Sequence, residues 1–289
     1  MLVSVGGQFI CSANVYRHLH FAACPVLEQL AAYCTIAGSL AGRPLVIRTL
    51  DVGGDKSLPY VHIGEEANPF LGWRGIRLTL GSPALFRTQL RAILRAAAAH
   101  PVALLLPMVS TVDEVRAAKT ALAEAQAELE RAGIPFGKNP RTGVMIEVPA
   151  AAAMADRLAR EADFFSIGTN DLIQYSMAAD RTNPRVAALA DPFQPAVLRL
   201  IRQTVEAARA AGIEAALCGE LAADPLAAPL LIGLGLEELS VSAGLIPALK
   251  RAIAGWTVPE AEALAREALA LDTAAGVRRL LREAAAPRG

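Results

Sequence analysis

The sequence predicts a (β/α)8 barrel, and three observations carry that expectation. From residue 44 onward one unit recurs, a short apolar strand, then a polar tip, then a helix. The strand segments are nearly continuous apolar runs, the pattern of parallel strands covered on both faces. Polar residues gather at the carboxyl ends of several runs, where a barrel assembles its active site from many strands. Repeated βα units are also compatible with an open doubly wound sheet. The polar tips, and a length of 289 residues close to the ~250 typical of such barrels, favour the barrel.

Taken in order, the first strand belongs before residue 28, where "LVSVGGQFI" (2–10) is a poor candidate. Clear strands follow at "PLVIRTLD" (44–51), "VALLLPMVS" (102–110), "TGVMIEVP" (142–149), "DFFSIGTND" (163–171), "IEAALCGE" (213–220) and "LEELSVS" (236–242). "LPYVHI" (58–63) is a candidate for a short extra strand. The spacing predicts helices over 112–133 and 195–212; both end at a glycine, and Pro195 stands in the first turn of the second. The segment from 258 reads as two short helices broken at Asp272-Thr273.

Composition excludes several classes. Lys and Arg total 28 and so do Asp and Glu, which argues against a nucleic-acid or anionic-membrane surface as the main partner. Any anion site must therefore be local. Cys11, Cys24, Cys34 and Cys218 form no CxxC pair, so a reducing, cytoplasmic location is expected. No apolar run reaches the ~18 residues of a membrane span, and the start lacks the basic region of a signal peptide. The four histidines form no metal-ligand cluster, and no Ser-His-Asp arrangement is evident. "DVGGDK" (51–56) reads as a glycine turn only.

The chemistry concentrates at the tips. Glu147 ends "GVMIE" and Asp171 ends "FFSIGTND". Each alone reads more readily as a helix-capping carboxylate. Together in one barrel mouth they would repel unless a cation lay between them, and oxygen ligands without His or Cys suit Mg²⁺ or Mn²⁺. Arg48, at the tip of "LVIRTLD", and Arg74 and Arg181, in "NPFLGWRGIR" and "AADRTNP", recur near the same mouth in a chain of zero net charge; their guanidinium groups match phosphate or carboxylate. Cys218, in "ALCGE", is either inert core or a proton donor to carbon. Its neighbour Gly219 would let the backbone approach a ligand.

The stretches "VIRTLDVGGDKSLPY", "NPFLGWRGIR", "LPMVSTVDEVR", "GVMIEVPAAA", "DFFSIGTNDLIQYSMAADRTNP" and "LCGELAADP" together resemble enzyme I of the bacterial phosphotransferase system, specifically its C-terminal phosphoenolpyruvate-binding domain. The resemblance covers 28–289 and sets 1–27 apart as a divergent segment. It implies a TIM barrel of the phosphoenolpyruvate/pyruvate type whose first strand is divergent or missing. It also implies Mg²⁺ on Glu147 and Asp171, phosphoenolpyruvate contacts from Asn170, and phosphoryl stabilisation by Arg48, Arg74 and Arg181. Cys218 would handle the proton at the methylene carbon as enolpyruvate becomes pyruvate.

The family's acceptor histidine lies in a separate domain with a glycine-, serine- and histidine-containing motif, which this sequence does not show. The acceptor is thus expected on another domain or a phosphocarrier protein. The family's first-strand "RTEF"-like arginine is absent too, and Arg17 does not fit that pattern. A homodimer serving sugar transport is the implied setting. The alternative is a non-catalytic phosphoenolpyruvate-binding or dimerisation fragment.

Overall fold

The structure, a computed structural model, describes residues 2–4, 9–11, 26–53 and 64–285. The chain is a parallel-strand α/β protein. Its strands are β1 (Leu2–Ser4), β2 (Phe9–Cys11), β3 (Leu45–Arg48), β4 (Val102–Leu106), β5 (Thr142–Ile146), β6 (Phe164–Gly168), β7 (Glu214–Cys218) and β8 (Glu238–Ser242). Every residue of β3, β4, β5 and β6 is buried, as their nearly continuous apolar composition favours; Arg48, Thr142 and Ser166 are the polar exceptions within them. The described residues cluster into two compact units: one holds Leu2, 9–11, 26–53, 64–145 and 161–163, the other Val3, Ser4, 146–160 and 164–285.

In the first unit β2, β3, β4 and β5 lie side by side and parallel, with Phe9 opposite Leu45, Leu45 opposite Val102, and Leu104 opposite Thr142. "LVSVGGQFI" therefore supplies both β1 and β2, which corrects the expectation that it makes a poor strand. A ladder is built from backbone groups, so a three-residue stretch pairs without a strong side-chain pattern of its own. The candidate strand at 58–63 lies outside the described residues, as does Arg17.

The helix Pro83–Ala96 touches both Val26–Ser39 and Val112–Arg131. It buries Phe86, Leu90, Ile93 and Leu94, each contributing about 1.5–3 kcal/mol. Buried Gln89 on the same helix accepts the Leu50 N–H at 3.0 Å and donates to the Tyr33 hydroxyl at 3.3 Å. That pair fixes the chain where it leaves β3. The helix Val112–Arg131 starts in a capping box, the Thr111 hydroxyl accepting the Glu114 N–H while Glu114 accepts the Thr111 N–H.

In the second unit β6, β7 and β8 are parallel, with Gly168 opposite Cys218 and Cys218 opposite Ser240. The helix Pro195–Ala211 opens on proline and stops at Gly212, whose φ of 70° is left-handed, as the sequence predicts. The tail forms the helices Val258–Leu269 and Ala274–Ala285, broken where expected. Ala228–Gly233 lies on Val258–Leu269, and a Cβ at Gly233 would overlap the Ala261 carbonyl. Arg278 of the last helix donates to both oxygens of Asp191, at 3.1 and 3.0 Å, and covers the Phe193 ring at 4.4 Å. Among the described residues no helix is long and apolar enough to cross a membrane.

Candidate functional site

The first unit gathers Arg48, Asp51 and Arg74. Arg48 ends β3, and the chain then turns at Leu50, held by Gln89, to present Asp51. Arg74 sits in the loop ahead of the helix Ile76–Gly81 and is fully buried. Its Nε donates to Asp51 Oδ1 at 3.3 Å, and one terminal nitrogen to both carboxylate oxygens at 3.1 Å. Arg48 reaches the same carboxylate at 3.5 Å and Met145 Sδ at 3.9 Å.

Two glycines make this approach sterically feasible. Gly53 has φ +117°, and a Cβ there would lie 2.6 Å from that of Arg74. Gly75 has φ +57°, and its Cβ would lie 2.6 Å from that of Met108. Arg77 braces the loop by donating to Ser110 Oγ at 3.1 Å and to the Leu71 carbonyl at 3.0 Å.

Asp51 escaped the sequence reading, which took "DVGGDK" for a glycine turn. The available signal was an acid three residues after a tip arginine, followed by a glycine pair. Buried ion pairs are costly to leave half-made, so an acid in so apolar a setting points to a cation partner.

The second unit holds the remaining candidates. β6 ends at Gly168, and Thr169, Asn170 and Asp171 form the first turn of the helix Thr169–Ser176; the sequence had placed them on the strand itself. Asp171 is buried and accepts from Arg181 at 3.1 Å. The Arg181 backbone N–H donates to Gln174 Oε1 at 3.0 Å. Asp180, next in chain, accepts from the Thr182 hydroxyl and N–H at 2.7 and 2.8 Å. Those two bonds, the hydroxyl first, hold its carboxyl below the ordinary value and close the turn that carries Arg181.

Glu147, just past β5, is also buried. Neither carboxylate is an N-cap. The caps are Val148 and Gly168, and neither helix start has a side-chain capping bond. Among the described residues no group of three or more His, Cys, Asp or Glu is placed to hold a metal.

Hydrogen bonds cross the junction between the ends of β6 and β7 near Asn170 and Cys218. The Thr169 hydroxyl donates to the Cys218 carbonyl at 2.8 Å, the Glu220 N–H to Asn170 Oδ1 at 3.1 Å, and the Ser166 hydroxyl to Cys218 Sγ at 3.6 Å. With that bond Asn170 acts as an acceptor, and its amide nitrogen carries two donors besides. Gly219 has φ +102°, and a Cβ there would overlap Thr169 Oγ1 and stand 3.0 Å from Asn170 Oδ1. The close approach that this glycine permits here is to Thr169 and Asn170.

A family model described as "PEP-utilising enzyme, PEP-binding domain" matches residues 17–258. The phosphoenolpyruvate-protein phosphotransferase of Bacillus sp. (strain S) is 49% identical over 247 residues, 86% of this chain and 43% of that protein. The protein of the same name from Bacillus subtilis (strain 168) is 47% identical over 246 residues, 85% of this chain and 43% of that one. The chain thus spans less than half the length of the curated relatives it matches. Among solved structures, a citrate lyase from Burkholderia xenovorans LB400 superposes with a TM-score of 0.49 at 16% identity, over 96% of this chain and 90% of that one.

Proposed function

The chain belongs to the PEP-utilising enzyme family, matching its PEP-binding domain, and from that premise we propose that it is the catalytic domain of a phosphoenolpyruvate–protein phosphotransferase. The phosphorus–enol oxygen bond of phosphoenolpyruvate breaks, a phosphorus–nitrogen bond forms to a histidine on a separate domain or phosphocarrier protein, and enolpyruvate is protonated to pyruvate. The family match over 17–258 is the observation that carries the reading.

The residues divide the work. Arg48, Arg74 and Arg181 hold and neutralise the phosphoryl group; a loose transition state is stabilised chiefly by positive charge already in place. Asn170 donates its amide to the phosphate or carboxylate. Cys218, whose sulfur accepts a hydrogen bond from the Ser166 hydroxyl, moves the proton at the methylene carbon. Glu147 and Asp171 fit Mg²⁺, being buried oxygen donors that cap no helix. Two carboxylates are what that ion takes when substrate oxygens and water fill its other positions. When bound, it supplies further positive charge to the phosphoryl and enolate oxygens. Asp171 has lone pairs enough to accept Arg181 as well as a metal.

The proposal extends to a (β/α)8 barrel of the phosphoenolpyruvate/pyruvate type, a homodimer, a cytoplasmic location and service to sugar transport. The alternation of apolar strands and helices supports the barrel; the others rest on the family resemblance. Calorimetric titration of phosphoenolpyruvate with and without Mg²⁺ tests the site. Metal-dependent binding that is lost in Glu147→Ala and Asp171→Ala is expected, and Mg²⁺-dependent affinity unchanged in both variants overturns the assignment. Labelled phosphate arriving on a histidine domain supplied in trans identifies the enzyme; binding without transfer leaves the non-catalytic alternative.

A further inference from the structure

We infer that Asp51 is a positioning residue for this reaction, a built-in carboxylate that holds Arg48 and Arg74 in the places where a phosphoryl group needs them. The inference rests on the proposed function. Arg74 meets Asp51 through three contacts of 3.1 to 3.3 Å, and Arg48 meets the same carboxylate at 3.5 Å. Two guanidinium groups would repel each other if one acid did not lie between them. Asp51 and Arg74 are fully buried and Arg48 nearly so, so the shared carboxylate holds both guanidinium groups away from the water that would otherwise loosen them.

The surroundings fix Asp51 rather than follow it. The Leu50 N–H is held by Gln89, so the carboxylate is set from the backbone on one side. On the other side Gly53 admits Arg74 only because it has no Cβ. Asp51 therefore does two opposed things. It orients both arginines for the transition state, and it competes with any plain anion for their N–H groups.

These opposed roles separate in Asp51→Asn, which keeps the shape and removes the charge. The experiment compares wild type and variant in the binding of inorganic phosphate and in the rate of phosphoryl transfer, at saturating phosphoenolpyruvate, to a histidine domain supplied in trans. Phosphate affinity equal to or tighter than wild type is expected, with kcat down by about 100-fold, the scale of a 1 Å misplacement. A fall in kcat without a rise in KM is the signature of lost orientation. An unchanged kcat overturns the inference, and so does parallel weakening of phosphate binding and transfer.

If Asp51→Asn lacks the wild-type circular dichroism spectrum, Asp51→Glu carries the same comparison with the charge kept and its distance changed. A lower kcat with intact phosphate affinity supports the inference; an unchanged kcat overturns it. Wild-type protein that binds no phosphoenolpyruvate fails the proposed function itself, and the inference with it. That measurement comes before any variant is read.

Discussion

Replacing Arg74 by methionine removes the cation that shares a water-free site with Asp51, and the loss can be sized from the geometry. Both side chains are 0% exposed, with nitrogen and oxygen 3.1 Å apart. At an effective dielectric of ~20, unit charges at that separation attract by roughly 5 kcal/mol. Breaking one partner out of a buried pair costs about 3–5 kcal/mol, because the acid left behind stays out of water. Arg48 still reaches that acid at 3.5 Å, which puts the expected loss near the lower figure, about 3 kcal/mol. Against a total stability of roughly 5–15 kcal/mol, that is a large fraction. Urea unfolding followed by tryptophan fluorescence and by circular dichroism measures it. A single-variant cost under about 1 kcal/mol refutes the reasoning that burial makes this pair costly to break.

Two further predictions follow from the local geometry. Gly219→Ala forces a side chain into a left-handed position and onto Thr169 Oγ1, costing roughly 2 kcal/mol or more and weakening phosphoenolpyruvate binding; adding Thr169→Ala relieves the overlap but not the backbone strain, so a denaturation midpoint fully restored by that pair would contradict the prediction. The Glu161 carboxyl is held below its ordinary value of 4.5 by hydrogen bonds first from Lys119 and then from Arg116, so its stabilisation is present above that value and disappears as pH falls through the lower, folded one. Wild type should therefore lose more melting temperature than Glu161→Gln on acidification from pH ~5 to pH ~3, and parallel profiles would remove Glu161 from the acid response.

How far the sequence could be read depends on the range of the interaction concerned. The strands at 45–48, 102–106 and 142–146 follow from nearly continuous apolar runs. The stop at Gly212 follows from one residue's tolerance of positive φ. These are local properties, and local pattern reaches them. The helical start at Thr169 was missed because β-branched and small residues there continue the strand pattern, and the helix is settled by its packing against Pro195–Ala211. Arg48, Arg74 and Arg181 were visible by residue type, as was Asp171, whereas Asp51, the acid that Arg48 and Arg74 share, was not. Asp51 and Arg74 are joined across 23 positions of chain, a pairing that no spacing rule reports. Gly219 stood out as a point of close approach, but the chain that approaches it, the first turn of the helix Thr169–Ser176, lies some fifty positions earlier and shows in no local pattern.

The two arginine–acid pairs divide their duties differently, and exposure decides how. Arg74 and Asp51 are sealed at 0% each, so any change there moves stability and chemistry together. Arg181 is 26% exposed against 6% for Asp171, and a partly hydrated guanidinium can leave its partner at smaller cost, because water replaces part of what it gives up. A group that must release an acid to take up a phosphate gains from that lower cost; a group that must hold a fixed frame gains from the higher one. The buried pair is therefore suited to setting geometry and the half-open pair to meeting the ligand. It follows that the functional weight of these arginines is read most cleanly at Arg181, where loss of binding is not entangled with loss of the fold.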